Sequence, residues 1–169
     1  GPKGTFTDEA AYKYAKNENR IEYSSFSNLT EALENHCVDE IVVPIENSLH
    51  GTVIEIIDYL ISSKNAQIIH EQYMHINLCL IGKKVINYNQ IKFITSKEEA
   101  LSQCRKFIST NIPNSKQIFA PSTAQAIMDI KKNQNDSIVA VGPKRAAEIF
   151  ELNILEQNIQ DKKNNITRF

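Results

Sequence analysis

Residues 91–150 read IKFITSKEEALSQCRKFISTNIPNSKQIFAPSTAQAIMDIKKNQNDSIVAVGPKRAAEIF. Three short apolar runs, 91–95, 116–120 and 137–142, alternate with three longer runs of helical spacing, 97–109, 123–132 and 144–150. Strands alternating with helices predict an α/β unit with a mostly parallel sheet. Upstream, residues 83–90 (KKVINYNQ) read as a loop. The segment 66–82 (AQIIHEQYMHINLCLIG) is extended and longer than an average strand, so a bend is expected in it. Before that, Val53, Ile56, Ile57, Leu60 and Ile61 have the spacing of an amphipathic helix. Residues 40–45 (EIVVPI) form a β-branched run closed by Pro44, a buried-strand signal. Asn28-x-x-Glu31 fits a capping box opening a helix to about Cys37. Residues 21–26 read as a strand, and Asp8 to about Glu18 as a helix capped by Thr7 with Ala10, Ala11, Tyr14 and Ala15 on one face. The break near residue 83 divides the pattern into two α/β units. After Leu152 the chain runs extended through Ile154, Leu155 and Ile159 into a polar tail.

Composition narrows the function classes. In 169 residues, 41% are hydrophobic and 23% charged, enough apolar content to bury a core. The 19 Lys and Arg against 20 Asp and Glu leave a net charge of −1. There is no basic excess for a nucleic-acid surface and no acidic tail. Only Arg20, Arg105, Arg145 and Arg168 are arginines, so an Arg in a motif stands out. Cys37, Cys79 and Cys104 are odd in number and far apart, which suits buried thiols in a reducing cytosol. No apolar run approaches the length of a membrane helix, and the first residues carry no apolar signal-peptide core. The expectation is a cytoplasmic protein with no membrane and no nucleic-acid partner.

The sequence lacks G-x-G-x-x-G, G-x-x-x-x-G-K-[ST] and G-x-S-x-G, which leaves dinucleotide, P-loop and hydrolase-elbow readings unsupported. His36, His50, His70 and His75 form no H-E-x-x-H, and no nearby Cys completes a metal set. The polar residues that remain sit at the ends of apolar strands, where ligands of α/β proteins usually bind. Pro44-Ile45-Glu46-Asn47-Ser48-Leu49-His50-Gly51-Thr52 presents carboxylate, amide and hydroxyl groups before a helix; the same residue types also serve plain turns. Ser96, Ser122-Thr123 and Gly142-Pro143 each follow a strand and open a helix, where capping is the plain alternative. The tail Asn165-Ile166-Thr167-Arg168-Phe169 sets a scarce Arg between a hydroxyl and an aromatic. It is read either as a frayed terminus or as a segment folded into a cleft, with Arg168 offering a bidentate fork to a carboxylate.

Taken together, these segments resemble the catalytic domain of prephenate dehydratases. The resemblance is carried by Gly1-Pro2-x-Gly4-Thr5-Phe6-Thr7, Val43-Pro44-Ile45-Glu46-Asn47-Ser48 with Gly51-x-Val53, and Glu71-x4-Ile76-x3-Leu80. It continues through Ser96, Gln103-Cys104, Ser122-Thr123-Ala124-x-Ala126, Ala146-Ala147 and Asn158-Ile159-Gln160-Asp161, and closes with Asn165-x-Thr167-Arg168-Phe169. It spans the whole chain in order. One departure is Lys97-Glu98-Glu99, where the family usually shows a His-Pro-Gln run after the Ser. This Lys is expected to face solvent, and Ser96-x-x-Glu99 remains a capping box.

The resemblance implies two α/β lobes with a cleft between them, like the type 2 periplasmic-binding-protein fold. The first lobe would hold residues 1 to about 78 plus 154–169, the second about 79–153. It implies conversion of prephenate to phenylpyruvate, carbon dioxide and water. That reaction is driven by aromatisation and needs no redox cofactor, metal or covalent nucleophile. Carried over by motif, Glu46, Asn47, Ser96, Gln103, Thr167 and Arg168 are the catalytic candidates. Ser48, Ser122, Thr123 and Asn165 are further substrate-binding candidates. Thr167 would hydrogen-bond the departing ring hydroxyl, with acid help from water or Glu46, and Arg168 would clamp a carboxylate. Cys104 reads as packing, and Phe6 and Phe169 as apolar walls. The lobes are expected to close on substrate, and relatives of this kind are dimers or tetramers. Neither a regulatory ACT domain nor a chorismate mutase domain fits in 169 residues, so this chain alone is expected not to respond to phenylalanine. Dehydration of arogenate and a non-catalytic carboxylate-binding module are the competing readings.

Overall fold

The computed structural model describes residues 1–169, which divide into two compact units, Gly1–Ile76 with Asn164–Phe169, and Asn77–Lys163. In the first, α1 (Phe6–Tyr14) is started by Thr5. Its hydroxyl accepts from the Asp8 amide at 3.2 Å and donates to the Pro2 carbonyl at 2.7 Å. Gly4 sits at φ +82°, a conformation that favours glycine, and its amide donates to Asp8 Oδ2. The cap is thus Thr5, two residues earlier than the expected Thr7, because Gly4 turns the chain sharply enough to aim Thr5 at the helix. The α1 helix also ends at Tyr14, short of Glu18.

The next helix, α2 (Phe26–Glu34), is capped by Ser25 through the Asn28 amide, so Asn28 lies inside it and the expected Asn28–Glu31 box does not form. Residues 21–26 are not a strand, since Ser25 and Phe26 already belong to this helix start. Residues 40–45 carry no assigned strand, with 41–45 half-buried, and the assigned strand is the following pair, β1 (Glu46–Asn47). It turns into β2 (Gly51–Thr52), with Gly51 at φ +77°. Then comes α3 (Ile54–Ser62), which buries Ile56, while Ile61 at the end of the expected stripe is 78% exposed. The segment 66–82 holds two strands and not one: β3 (Tyr73–His75) ends before a separate strand that belongs to the second unit.

The second unit contains β4 (Cys79–Gly82), β5 (Phe93–Ser96), α4 (Glu98–Ser102), α5 (Arg105–Asn111), β6 (Lys116–Phe119), α6 (Thr123–Lys132), β7 (Ile138–Gly142), α7 (Lys144–Phe150) and β8 (Asn153–Glu156). The expected single helix over 97–109 is therefore two, broken at Gln103–Cys104. Pro143 is the residue before α7 and not its first. The strand order is β6-β5-β7-β4-β8. Strand β5 pairs parallel with β6 and β7, whereas β4 pairs antiparallel with β7 and β8. The chain returns to the first unit as β9 (Ile166–Arg168), which gives a four-stranded sheet ordered β2-β1-β9-β3, antiparallel throughout. The expectation of mostly parallel sheets thus fails. Hairpins and long returns to a sheet, which local periodicity does not encode, make the antiparallel pairs. Because β8 pairs with β4, residues 154–163 group with the second unit and not with the first.

The core of the second unit is small-residue packing. Ala126, Ala140, Ala146 and Ala147 are fully buried around Ile81 and Ile127. A methyl group on Gly142 would lie 2.5 Å from Ile127 Cδ1, so helix α6 lies close on β7 there. The core of the first unit gathers Ala10, Met74, Ile76 and Phe169, with Phe6 and Val42 against it. The terminal Phe169 is thus a core residue and the tail is not frayed.

Candidate active site

Strand β9 places the tail between two partners. Thr167 lies opposite Asn47 on one side and Met74 on the other. Arg168 lies opposite Glu46 and Tyr73. Side chains directly opposite each other share a face, and neighbours along a strand alternate. Asn47, Thr167 and Met74 therefore face one way, and Glu46, Arg168 and Tyr73 the other. Exposure follows this parity, with Thr167 and Met74 buried and Tyr73 64% exposed.

Asn47 organises the first face. Its Oδ1 accepts from the Leu49 and His50 amides at 2.9 and 3.1 Å, an Asx-type turn that shapes the loop to β2. Those two donors fix which end of the amide is oxygen. The amide nitrogen must then point into the sheet, where it donates to Asn165 Oδ1 at 2.7 Å and Thr167 Oγ1 at 2.9 Å. A hydroxyl that accepts from an amide keeps its own proton for another acceptor. No atom of the unit takes it. Ser48 works on the backbone. Its hydroxyl accepts from the Ile166 amide and donates to the Asn164 carbonyl, extending the β1–β9 pairing past its last regular pair.

On the second face Arg168 is held by Glu71, through Nε at 2.8 Å and a terminal nitrogen at 2.6 Å, both to Oε2. Its guanidinium also lies 6.0 Å over the Tyr73 ring. The Glu71 carboxylate raises the Arg168 pKa further, so the side chain is a permanent cation. Glu71 enters the sequence reading only as a position of the family resemblance; its pairing with a residue 97 positions away has no local signature.

The remaining candidates belong to the second unit. Ser96 is fully buried, and its hydroxyl donates to the Val141 carbonyl at 2.6 Å, tying β5 to β7. It is not a helix cap, since Lys97 occupies that position with no side-chain hydrogen bond. Lys97 is exposed and paired with Glu99 at 3.1 Å. Gln103 lies at the break between α4 and α5, and its carbonyl accepts from the Asp161 amide. Ser122 caps α6 through the Gln125 amide at 3.0 Å, and Thr123 is the first residue of that helix. Cys104 is fully buried, and burial first, then the charge of Asp161, pushes its thiol up to about 12. It is a packing residue and no nucleophile at ordinary pH.

One unit with an antiparallel sheet threaded by the chain's last strand, and a second of parallel and antiparallel strands with helices, define an α/β protein of two units whose first sheet carries amide and hydroxyl groups on its inner strands. Comparison with known proteins narrows this class. The family model described as "Prephenate dehydratase" matches residues 1–169, and the chain belongs to that family. It is 38% identical, over its whole length, to the bifunctional chorismate mutase/prephenate dehydratase of Buchnera aphidicola subsp. Schizaphis graminum, of which it covers 44%. It is 36% identical over 99% of its length to the prephenate dehydratase of Methanocaldococcus jannaschii, covering 61% of that protein. The chain thus spans about half the length of the curated relatives it matches. Among solved structures, the prephenate dehydratase of Arthrobacter aurescens in complex with L-Phe superposes on the whole chain with a TM-score of 0.91 at 28% identity, over 57% of that chain. That of Staphylococcus aureus superposes with a TM-score of 0.83 at 27% identity, over 62% of that chain. The fold is the two-lobed, type 2 periplasmic-binding-protein-like arrangement of those structures.

Proposed function

We propose that the chain dehydrates and decarboxylates prephenate to phenylpyruvate, in the biosynthesis of phenylalanine. The observation that carries the reading furthest is the Asn47–Thr167 hydrogen bond, which leaves a strand-held hydroxyl with its proton free for a ligand. Family membership over all 169 residues supports the substrate class.

The chemistry is read as follows. The ring C–O bond breaks, the ring carboxylate leaves as carbon dioxide, and the electron pair of the broken C–C bond completes the aromatic ring. The departing oxygen takes up one proton to leave as water. Thr167 stabilises that oxygen by donating a hydrogen bond, and Asn47 positions Thr167. A threonine hydroxyl is too weak an acid to supply the proton outright. Glu46 faces away from Thr167, beside Arg168, so the proton is assigned to water. Arg168 serves as the carboxylate partner by exchanging Glu71 for the substrate, a charge-for-charge replacement that keeps its fork filled. Ser96, Gln103, Ser122 and Thr123 of the second unit are kept as substrate-binding candidates on the strength of family membership. Ser48 and Asn165 hold the β9 strand in place. A cytoplasmic enzyme of two or four copies completes the reading; no helix is long and apolar enough to cross a membrane.

The test is phenylpyruvate formation by the purified chain at neutral pH, beside Thr167→Ala. Turnover that falls at least about 100-fold in the variant, the scale of lost acid-type assistance, supports the reading. Saturable prephenate binding with no turnover replaces it with the carboxylate-binding module. Arogenate is assayed in parallel, because an arogenate dehydratase/prephenate dehydratase of Arabidopsis thaliana is 34% identical over the whole chain, which covers 42% of that protein.

A further inference from the structure

The helix expected over 97–109 breaks at Gln103–Cys104, and its own sequence supplies no breaker. Residues 98–111 contain neither Gly nor Pro. Ser102 donates to the Glu99 carbonyl, a contact that bends helices yet leaves the Gln103 amide on that same carbonyl. A helix interrupted without Gly or Pro needs a group inserted into its hydrogen-bond ladder. That group is Asp161. In an unbroken helix the Gln103 carbonyl would accept from the Phe107 amide, and the Lys106 amide would donate to the Ser102 carbonyl. Here the Gln103 carbonyl accepts from the Asp161 amide at 2.6 Å. The Lys106 amide donates to the Asp161 carboxylate, 3.1 and 3.3 Å from its two oxygens. Asp161 thus takes one acceptor and one donor out of the ladder from 55 positions along the chain. Cys104, the residue before α5, makes no side-chain cap bond, so the Asp161 carboxylate caps α5 in its place.

Asp161 is itself held. It ends the stretch Asn158-Ile159-Gln160-Asp161, to which the reaction proposed above gives no part. Asn158 turns the chain at φ +58°, a conformation that Asn tolerates. The Ile159 amide donates to the Leu78 carbonyl at 2.9 Å. The buried Gln160 side chain accepts from the Leu78 amide at 2.9 Å through Oε1 and donates to Asn77 Oδ1 at 3.0 Å through Nε2. Leu78 is buried and precedes β4, an inner strand of its sheet. Through Gln160 the place of Asp161 is tied to that sheet, and through Asp161 the helix break is tied to it as well. Gln103 is the residue at which the ladder lets go, and Asp161 holds its peptide there. We propose that Asp161 is a positioning residue for Gln103, whose side chain meets the substrate only while Asp161 keeps the helix broken. The proposal rests on the dehydratase reading, in which Gln103 is a candidate for substrate contact.

The experiment is a double-mutant cycle on the 169-residue chain, with Asp161→Ala, Gln103→Ala and the two combined, beside Asp161→Asn. The asparagine keeps an oxygen to accept from the Lys106 amide. Turnover per KM for prephenate is expected to fall about tenfold in Asp161→Ala and in Gln103→Ala, the scale of one hydrogen bond to a charged group. The combined variant is expected to fall no further than Gln103→Ala alone, and Asp161→Asn to restore most of the loss. Losses that multiply in the combined variant overturn the inference. So do an unimpaired Gln103→Ala and an Asp161→Asn as impaired as Asp161→Ala. Where Asp161→Ala does not fold, Lys106→Pro takes its place; it removes the same hydrogen bond from a first-turn position of the helix, where proline is tolerated. A second readout uses no turnover. The side-chain amide resonance of Gln103, identified by its loss in Gln103→Ala, is expected to move in Asp161→Ala and to stay in place in Asp161→Asn. An unmoved resonance overturns the positioning whether or not the chain is active. A chain that forms no phenylpyruvate while the resonance moves as expected overturns the dehydratase reading and supports Asp161 as the residue that places Gln103.

Discussion

Replacing Asn47 by Asp changes one atom and inverts the hydrogen bonding of the site. In Asn47→Asp the oxygen that accepts from the Leu49 and His50 amides is kept, so the turn to β2 survives. The nitrogen at 2.7 Å from Asn165 Oδ1 and 2.9 Å from Thr167 Oγ1 becomes an acceptor. Against Asn165 two acceptors now meet. Against Thr167 the hydroxyl turns to donate into the carboxylate and withdraws its proton from any ligand. A buried acceptor left facing another costs about 1–3 kcal/mol, more when charged, so the loss of stability at neutral pH is about 2–4 kcal/mol. Protonation of the new carboxyl restores one donor, so its folded pKa rises above the unfolded value of about 3.9. The penalty is therefore absent below about pH 4 and grows as pH rises towards the raised pKa. Urea unfolding of both proteins from pH 3.5 to 7.5 reads this directly, and prephenate turnover at neutral pH is expected to fall at least about 100-fold. Turnover equal to the unsubstituted chain, or a stability gap independent of pH, refutes the donor role of Asn47.

Glu71→Gln frees the Arg168 guanidinium from its charged partner; if Arg168 binds a substrate carboxylate, KM for prephenate falls, and an unchanged KM removes Arg168 from the site. Ser96→Ala leaves the buried Val141 carbonyl without its 2.6 Å donor and is expected to cost about 1–3 kcal/mol, read from the urea midpoint at constant slope. Of the three thiols, Cys37 is exposed while Cys79 and Cys104 are buried. One equivalent of iodoacetamide is expected to react in the folded chain at pH 8 and three after denaturation; fast native labelling of Cys104 contradicts its pKa of about 12.

Local elements were legible where one principle acted alone. The run 123–132 has helical spacing, a Ser before it and Asn after it, and is α6 to the residue. Ser122 there caps the helix, so its plain reading needed nothing from elsewhere in the chain. Ser96 carried the same signature and does something else. Val141, brought alongside by β7, offers a carbonyl within the core, and a buried partner outcompetes an exposed cap. The strands of the first unit were the least legible. Residues 40–45 have strand composition, but strand assignment requires a paired neighbour, and composition does not reveal whether the neighbour is present. The family resemblance put Asn47 of the first unit's β1 and Thr167 and Arg168 of the tail into one set of candidates. It did not separate them, since sorting side chains by face requires the register of β1 against β9, which is set 120 residues apart along the chain.

That separation constrains any mechanism built on this strand. Thr167 and Arg168 are neighbours in sequence, yet one is buried beside Asn47 and the other is half-exposed beside Glu71. A substrate touching the Thr167 hydroxyl meets the β9 backbone before it meets the guanidinium. In the reaction proposed here the two therefore act on different terms. Thr167 acts on the breaking C–O bond at short range and belongs to kcat. Arg168 acts by charge, only after Glu71 releases it, and belongs to binding. Conservative substitutions should separate them. Thr167→Ser keeps the hydroxyl and the Asn47 donor, and turnover is expected to remain within about tenfold, since only a methyl group and some rotamer order are lost. Arg168→Lys keeps the charge but not the fork, and KM is expected to rise with kcat nearly unchanged. If instead kcat collapses in Arg168→Lys and KM holds, Arg168 acts on the reacting bond, and its assignment to binding is overturned.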